Sequence, residues 1–200
     1  SRGRKRFASG RENGIIVLLD ETAPAWEPTR KEGTAMNRLQ NKVAIVTGAN
    51  SGIGLRTAQL FAEEGAILVL CARRKEKLDE VAEALRAQGS QVLSIAADVS
   101  REEDCVRVVE EAVKAFGRVD VLVNNAGMAD KHRPITRCDG DWWHTVIDVN
   151  QNSVYYMMKA ALKYMELAGY GSIVNIASIG ATRYNSGVAY TASKTAVIGM

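Results

Sequence analysis

The stretch "TGANSGIG", Thr47 to Gly54, decides how the rest of the chain is read. It closes the apolar run "KVAIVT" (42–47) and leads into the helical pattern "LRTAQLFAEE" (55–64). Gly48, Gly52 and Gly54 are spaced G-x-x-x-G-x-G. Glycines in such a turn let the backbone approach a pyrophosphate closely, and the following helix N-terminus then faces the negative charge. A tight strand-to-helix connection would use the same residues. The position of this one, after a strand and opening a helix, favours dinucleotide binding.

Working outward, β-type runs alternate with helical patterns. After the first run come "AILVLC" (66–71), "QVLSIAA" (91–97), "VDVLVN" (119–124) and "GSIVNIAS" (171–178), rich in Val and Ile as fully buried parallel strands are. Between them, Leu78, Val81, Ala82 and Leu85 fall at i, i+3, i+4 and i+7, and Cys105, Val108, Val109, Ala112, Val113 and Phe116 continue that pattern over 101–116. The alternation predicts an α/β fold, a Rossmann-like doubly wound parallel sheet in a single domain, with right-handed connections. Its ligand belongs at the carboxyl ends of the strands, at the switch point.

The other strand ends agree. The second run enters "CARRKEK", where a plain ribose 2′-hydroxyl would call for an acid and a 2′-phosphate for Arg. Ala72 holds the acidic position and Arg73 and Arg74 follow it, which tips the expectation to NADP over NAD; a solvated helix start would also read "RRKEK". Asp98, ending the third run, either bonds an adenine amino group or caps the helix beginning near Arg101. The fourth ends in "NNAG", where Asn124 and Asn125 can satisfy backbone groups and Ala126 and Gly127 leave room for a flat ligand.

Two Tyr-Lys pairs share one spacing: Tyr155 with Lys159 in "VYYMMKA", and Tyr190 with Lys194 in "AYTASK". Residues four apart on a helix face one another, so spacing does not choose between them. Position does. Tyr190 and Lys194 follow Ser178 at a strand end, downstream of the whole dinucleotide framework, whereas Tyr155 and Lys159 lie on a packing helix.

Composition bounds the function. The chain has 200 residues, 46% hydrophobic and 24% charged, as a soluble globular domain does. Residues 36–200 carry 19 bases against 18 acids, so no nucleic-acid surface is expected. No apolar run reaches the length of a bilayer span. Cys71, Cys105 and Cys138 lack metal-like spacing and read as free thiols in a reducing cytoplasm, with no metal site. His132, in a polar loop, and His144, beside Trp142 and Trp143, read as solvated or packing residues. Residues 1–35, with "SRGRKRF" at the front and Pro24, Pro28 and Gly33 further on, read as an extension that is disordered or non-native, or as a basic targeting tail; the domain occupies 36–200.

Taken together, "TGxxxGIG" at Thr47–Gly54, "NNAG" at Asn124–Gly127 and "YxxxK" at Tyr190–Lys194 resemble the short-chain dehydrogenase/reductase family, in order and near its spacing. The similarity is to members such as 3-oxoacyl-carrier-protein reductases and glucose dehydrogenases. The resemblance implies hydride exchange between a nicotinamide cofactor and a ketone or secondary alcohol, with no nucleic acid or membrane partner and a homo-oligomer, tetramer or dimer, at full length. It carries the catalytic roles to Asn150, Ser178, Tyr190 and Lys194, Asn150 holding a water in a proton relay. It carries cofactor contacts to Gly48, Ser51, Gly52, Ile53, Gly54, Arg73, Asp98, Val99, Asn125, Ala126, Gly127, Tyr190 and Lys194. A phenol with a pKa near 10 is a poor base at neutral pH, and a neighbouring ammonium favours its phenolate, as general acid-base catalysis needs. Family members run on well past the position of Met200, so the resemblance also implies a domain truncated before its last strands.

Overall fold

The computed structural model describes residues 37–183 and 186–200; the extension expected at 1–35 lies outside them. Five strands, β1 (Val43–Thr47), β2 (Ile67–Ala72), β3 (Val92–Ala96), β4 (Val121–Asn124) and β5 (Ser172–Asn175), form one sheet in the order β3-β2-β1-β4-β5. Every neighbouring pair is parallel. The chain crosses from β1 to β2 and β3 on one side, then returns to β4 and β5 on the other. The crevice between the carboxyl ends of β1 and β4 is therefore the switch point.

Alternation along each strand divides the core in two. Val43, Ile45, Val69, Cys71 and Leu122 point to one face, and α3 (Glu102–Phe116) and α5 (Ser153–Ala168) cover them with Cys105, Val108, Val109, Met157, Ala161 and Met165. Ala44, Val46, Leu68, Leu70, Val121 and Val123 point the other way, under α1 (Gly52–Glu63) and α2 (Lys75–Ala87), through Ala58, Leu78, Ala82 and Leu85. Both faces of the central strands are dry, so those strands read as unbroken apolar runs rather than alternating ones. The expectation of full burial fails at the edges. β3 and β5 are largely half-buried, because among the described residues each has a neighbour on one side only.

Two further helices frame the switch point. α4 (Gly140–Ile147) continues through a π-type segment, Asp148–Asn152, directly into α5, and α6 (Val188–Gly199) ends the described chain. Among the described residues no helix is long and apolar enough to cross a membrane.

Candidate active site

The carboxyl ends of β1 and β4 are fastened together by one hydroxyl and one amide. The Thr47 Oγ1, buried, accepts the backbone N–H groups of Asn125 and Ala126, both at 3.0 Å, and donates to the Val123 carbonyl at 3.3 Å. Asn125 returns the contact, its Nδ2 donating to the Thr47 carbonyl at 2.8 Å. This explains the sequence at both ends: an acceptor hydroxyl must end β1, and an amide must leave β4. Sequence reasoning foresaw the amide's role and missed the hydroxyl's, although Thr47 stands in the deciding motif.

The glycine-rich turn fits into that fastening. Gly48 has φ +67, and a Cβ there would lie 2.9 Å from Asn125 Nδ2 and 3.0 Å from Ala126 Cα. A Cβ on Gly54 would lie 2.4 Å from Asn125 Nδ2 and 2.5 Å from the Gly48 carbonyl oxygen. The first turn of α1 thus lies against its own loop, and only residues without a side chain permit it. No side chain caps α1, whose N-cap is Ser51, and its first turn holds no acid. Its free N–H groups and positive dipole end remain for an anionic ligand.

Beside this turn opens a cavity of about 620 Å³ that Gly48, Ser51, Ile53, Arg73, Asp98, Val99, Asn125, Ala126 and Gly127 all help to line. Nine sequence-predicted contacts therefore gather in one place. Gly52 and Gly54 do not line it; they shape the turn behind it. Ala72 ends β2 in the lining, and neither Arg73 nor Arg74 forms an ion pair among the described residues. Asp98 does not cap α3, whose N-cap is Arg101 and which has no side-chain cap. Its Oδ1 accepts the Ser100 N–H and hydroxyl at 3.1 and 2.8 Å, fixing the turn before α3, and the residue lines the cavity.

A second cavity of about 580 Å³ adjoins the first, sharing Ile53, Asn125 and Gly127. Ser178, Tyr190 and Lys194 line it, together with the apolar Met128, Ala129, Ile176, Ala177 and Ile179. Ser178 does not end β5 as the sequence suggests. The strand stops at Asn175, level with the end of β4, whose Ala126 N–H turns to Thr47 Oγ1; the Ile176 carbonyl accepts from Lys194 Nζ at 2.7 Å. Ser178 then caps a 3₁₀ turn, Ile179–Ala181, its Oγ accepting the Gly180 N–H at 3.1 Å. That bond uses the oxygen and leaves the hydroxyl hydrogen to be donated.

Lys194 is 4% exposed, and burial draws its ammonium down to about 8. A Cβ on Gly127 would lie 3.5 Å from its Nζ and 3.3 Å from Asn150 Oδ1, so both polar groups border the place where "NNAG" has no side chain. Asn150, 0% exposed, does not line either cavity. Its Oδ1 accepts the Met128 N–H at 2.7 Å, and its Nδ2 donates to the Met128 carbonyl at 2.9 Å and to Ser193 Oγ at 3.3 Å. Asn150 lies within the π-type segment, a feature that the helical sequence pattern did not disclose.

The competing pair lies elsewhere. Tyr155 is 50% exposed on α5, and Lys159 Nζ donates to Glu102 on α3 at 2.8 Å. The loop cations are also occupied: Arg133 pairs with Asp139 at 2.9 Å, and both Arg133 and Lys131 stand over the Trp142 ring. His132 and His144 are exposed. One buried carboxylate near the site, Asp130, gave no sequence signal.

The sequence model for the short chain dehydrogenase family matches residues 42–200. The chain is 39% identical over 164 residues to 3beta-hydroxysteroid dehydrogenase 2 of Eggerthella lenta, covering 81% of this chain and 63% of that protein. It is 41% identical over 157 residues to cis-4-hydroxycyclohexanecarboxylate dehydrogenase of Sinomonas cyclohexanicum, covering 78% of this chain and 63% of that one. Among solved structures, an NAD+-bound xylitol dehydrogenase superposes with a TM-score of 0.77 at 34% identity, over 81% of this chain and 63% of the other. The chain thus spans 63% of the length of these curated relatives.

Proposed function

The chain belongs to the short-chain dehydrogenase family, and from that premise we propose that it exchanges a hydride between a nicotinamide dinucleotide and a ketone or secondary alcohol. One observation carries the reading: the cavity at the glycine-rich turn runs into the cavity of Ser178, Tyr190 and Lys194 through three shared residues. A dinucleotide in the first would present its nicotinamide to the second. The cofactor supplies or accepts the hydride when bound.

The chain's own residues do the rest. The uncapped first turn of α1 and the bare Gly48 bind the pyrophosphate. Arg73 and Arg74, without an ion pair among the described residues, stand beside Ala72 and favour a 2′-phosphate and hence NADP. Tyr190 gives its proton to the substrate oxygen in reduction and takes it in oxidation. The Ser178 hydroxyl donates to that oxygen as charge develops on it. At neutral pH the Lys194 ammonium steadies negative charge on the phenol oxygen and reaches the ribose hydroxyls. Asn150, whose amide is fixed by Met128 and Ser193, would hold the relay water. The apolar cleft walls and the names of the two relatives support a cyclic secondary alcohol as substrate. Self-association of the chain would use the outer faces of α5 and α6, where Tyr155 and Ile198 are exposed.

The test is nucleotide binding and turnover over a panel of cyclic and acyclic ketones, for the chain and for Tyr190→Phe. The variant should bind nucleotide as before and lose nearly all turnover. Retained turnover would overturn the assignment.

A further inference from the structure

We infer that Asp130 is a positioning residue for Tyr190, capping from 60 residues upstream the helix that carries it. The inference rests on the role just given to Tyr190. Asp130 is 2% exposed, and a carboxylate is so deeply buried only when its oxygens are satisfied. Its Oδ2 accepts the Tyr190 N–H at 2.9 Å, and its Oδ1 accepts those of Gly187 and His132 at 3.2 and 3.1 Å.

α6 needs such a group. Its N-cap is Gly187, which has no side chain to offer, and its first turn contains no acid. Tyr190 occupies the third helical position, whose N–H an N-cap side chain ordinarily takes. Asp130 takes it instead, and its charge answers the positive end of the helix dipole.

The loop is shaped to deliver the carboxylate. Lys131 and His132 both adopt the left-handed region, at φ 59 and 55, a conformation that side chains hold only where the surroundings impose it. The Val188 N–H bonds the Arg133 carbonyl at 3.1 Å, and the Trp142 indole N–H bonds that of Asp130 at 3.2 Å. A Cβ on Gly187 would come within 2.3 Å of Asp130 Oδ2, so the approach also depends on glycine there. The loop leaving β4 supplies Met128 and Ala129 to the same cleft that Tyr190 lines. Asp130 therefore fixes the first turn of α6, and with it the phenol, against one wall of that cleft.

The experiment uses the full chain, Asp130→Ala and Asp130→Asn, with Tyr190→Phe alongside. Amide hydrogen exchange reads the cap without reference to turnover. In Asp130→Ala the Tyr190 amide should exchange about five- to tenfold faster, the size of a lost cap, while amides of β1 and α1 stay unchanged. On the ketone panel its kcat should fall about 10- to 100-fold, as a misplaced catalytic group gives, with nucleotide affinity retained. Asp130→Asn keeps one acceptor oxygen and should recover part of both effects, and it carries the test if the alanine variant does not fold. An unchanged Tyr190 exchange rate, or loss of nucleotide affinity in step with kcat, overturns the inference. Turnover surviving in Tyr190→Phe would instead overturn the reading of Tyr190, and the exchange result would still decide the cap.

Discussion

Lys194 Nζ donates to the main-chain carbonyl of Ile176 at 2.7 Å, tying α6 to the first residue beyond β5. The contact lies just beyond the last pair of the ladder and leaves the ammonium almost fully buried. Burial lowers its pKa from 10.5 to about 8, so the folded chain holds this proton less tightly than the unfolded chain does.

Between about pH 8 and 10.5 the unfolded state therefore binds more protons, and this group makes stability rise with pH across that window. Below pH 8 the cost of burying the charge is full and constant. Lys194→Met lacks the linkage. Urea unfolding of both proteins should show the wild type gaining on the variant by up to about 3 kcal/mol over those pH values. A pH-independent difference would mean that the ammonium is solvated.

Thr47→Val keeps the shape of the side chain and removes the oxygen that accepts from Asn125 and Ala126. The Ala126 N–H would lose its acceptor, at about 1–3 kcal/mol if left unpaired, while the Asn125 N–H would keep the Val123 carbonyl at 3.1 Å. Thermal unfolding should register the loss, with weaker nucleotide binding beside it. Thr47→Ser, which keeps the oxygen, should be close to wild type in both.

Replacing Arg73 and Arg74 together by Ser should lower affinity for NADP about tenfold or more, the worth of a charge-assisted hydrogen bond to phosphate, and leave NAD affinity nearly unchanged. Equal losses for the two nucleotides would show that the pair does not read the 2′-phosphate. Titration of each nucleotide by calorimetry makes the comparison.

The three thiols should differ in reactivity. Cys71 and Cys105 are buried, and burial pushes both thiols up to about 12, so neither offers thiolate near neutral pH. Cys138 is partly accessible. A thiol reagent at pH 8 should label Cys138 in the native chain and all three residues in denaturant, as peptide mass mapping would show.

How much of this was legible follows from the range of each interaction. The strands were, because burial on both faces writes itself as runs of Val, Ile and Leu, and β1 to β4 stand within two residues of their expected limits. The glycine turn was, since close approach forbids a side chain at Gly48 and Gly54. The end of β5 was not. Nothing in "IVNIAS" says that β4 ends level with Asn175, or that a lysine 18 residues later will take the Ile176 carbonyl. Asp130 was invisible for the same reason, its partners Gly187 and Tyr190 lying 57 and 60 residues away. The engagement of Asn150 with Met128 also depends on a helical irregularity that apolar periodicity does not encode.

That irregularity makes one place in the chain tolerant of a change in length. The π-type segment Asp148–Asn152 holds a wider turn than the α-helix on either side. Its five residues turn the chain about as far as four do in an α-helix. Deleting one residue there would let α4 and α5 run on as a regular helix, with Met157, Ala161 and Met165 still facing the sheet. Asn150 sits in the wide turn itself, so its hold on Met128 is what the deletion would release. The same deletion inside α5 would turn everything beyond it by about 100° and take the core side chains off the sheet. The segment is thus where the candidate site can be altered while the core stays in place.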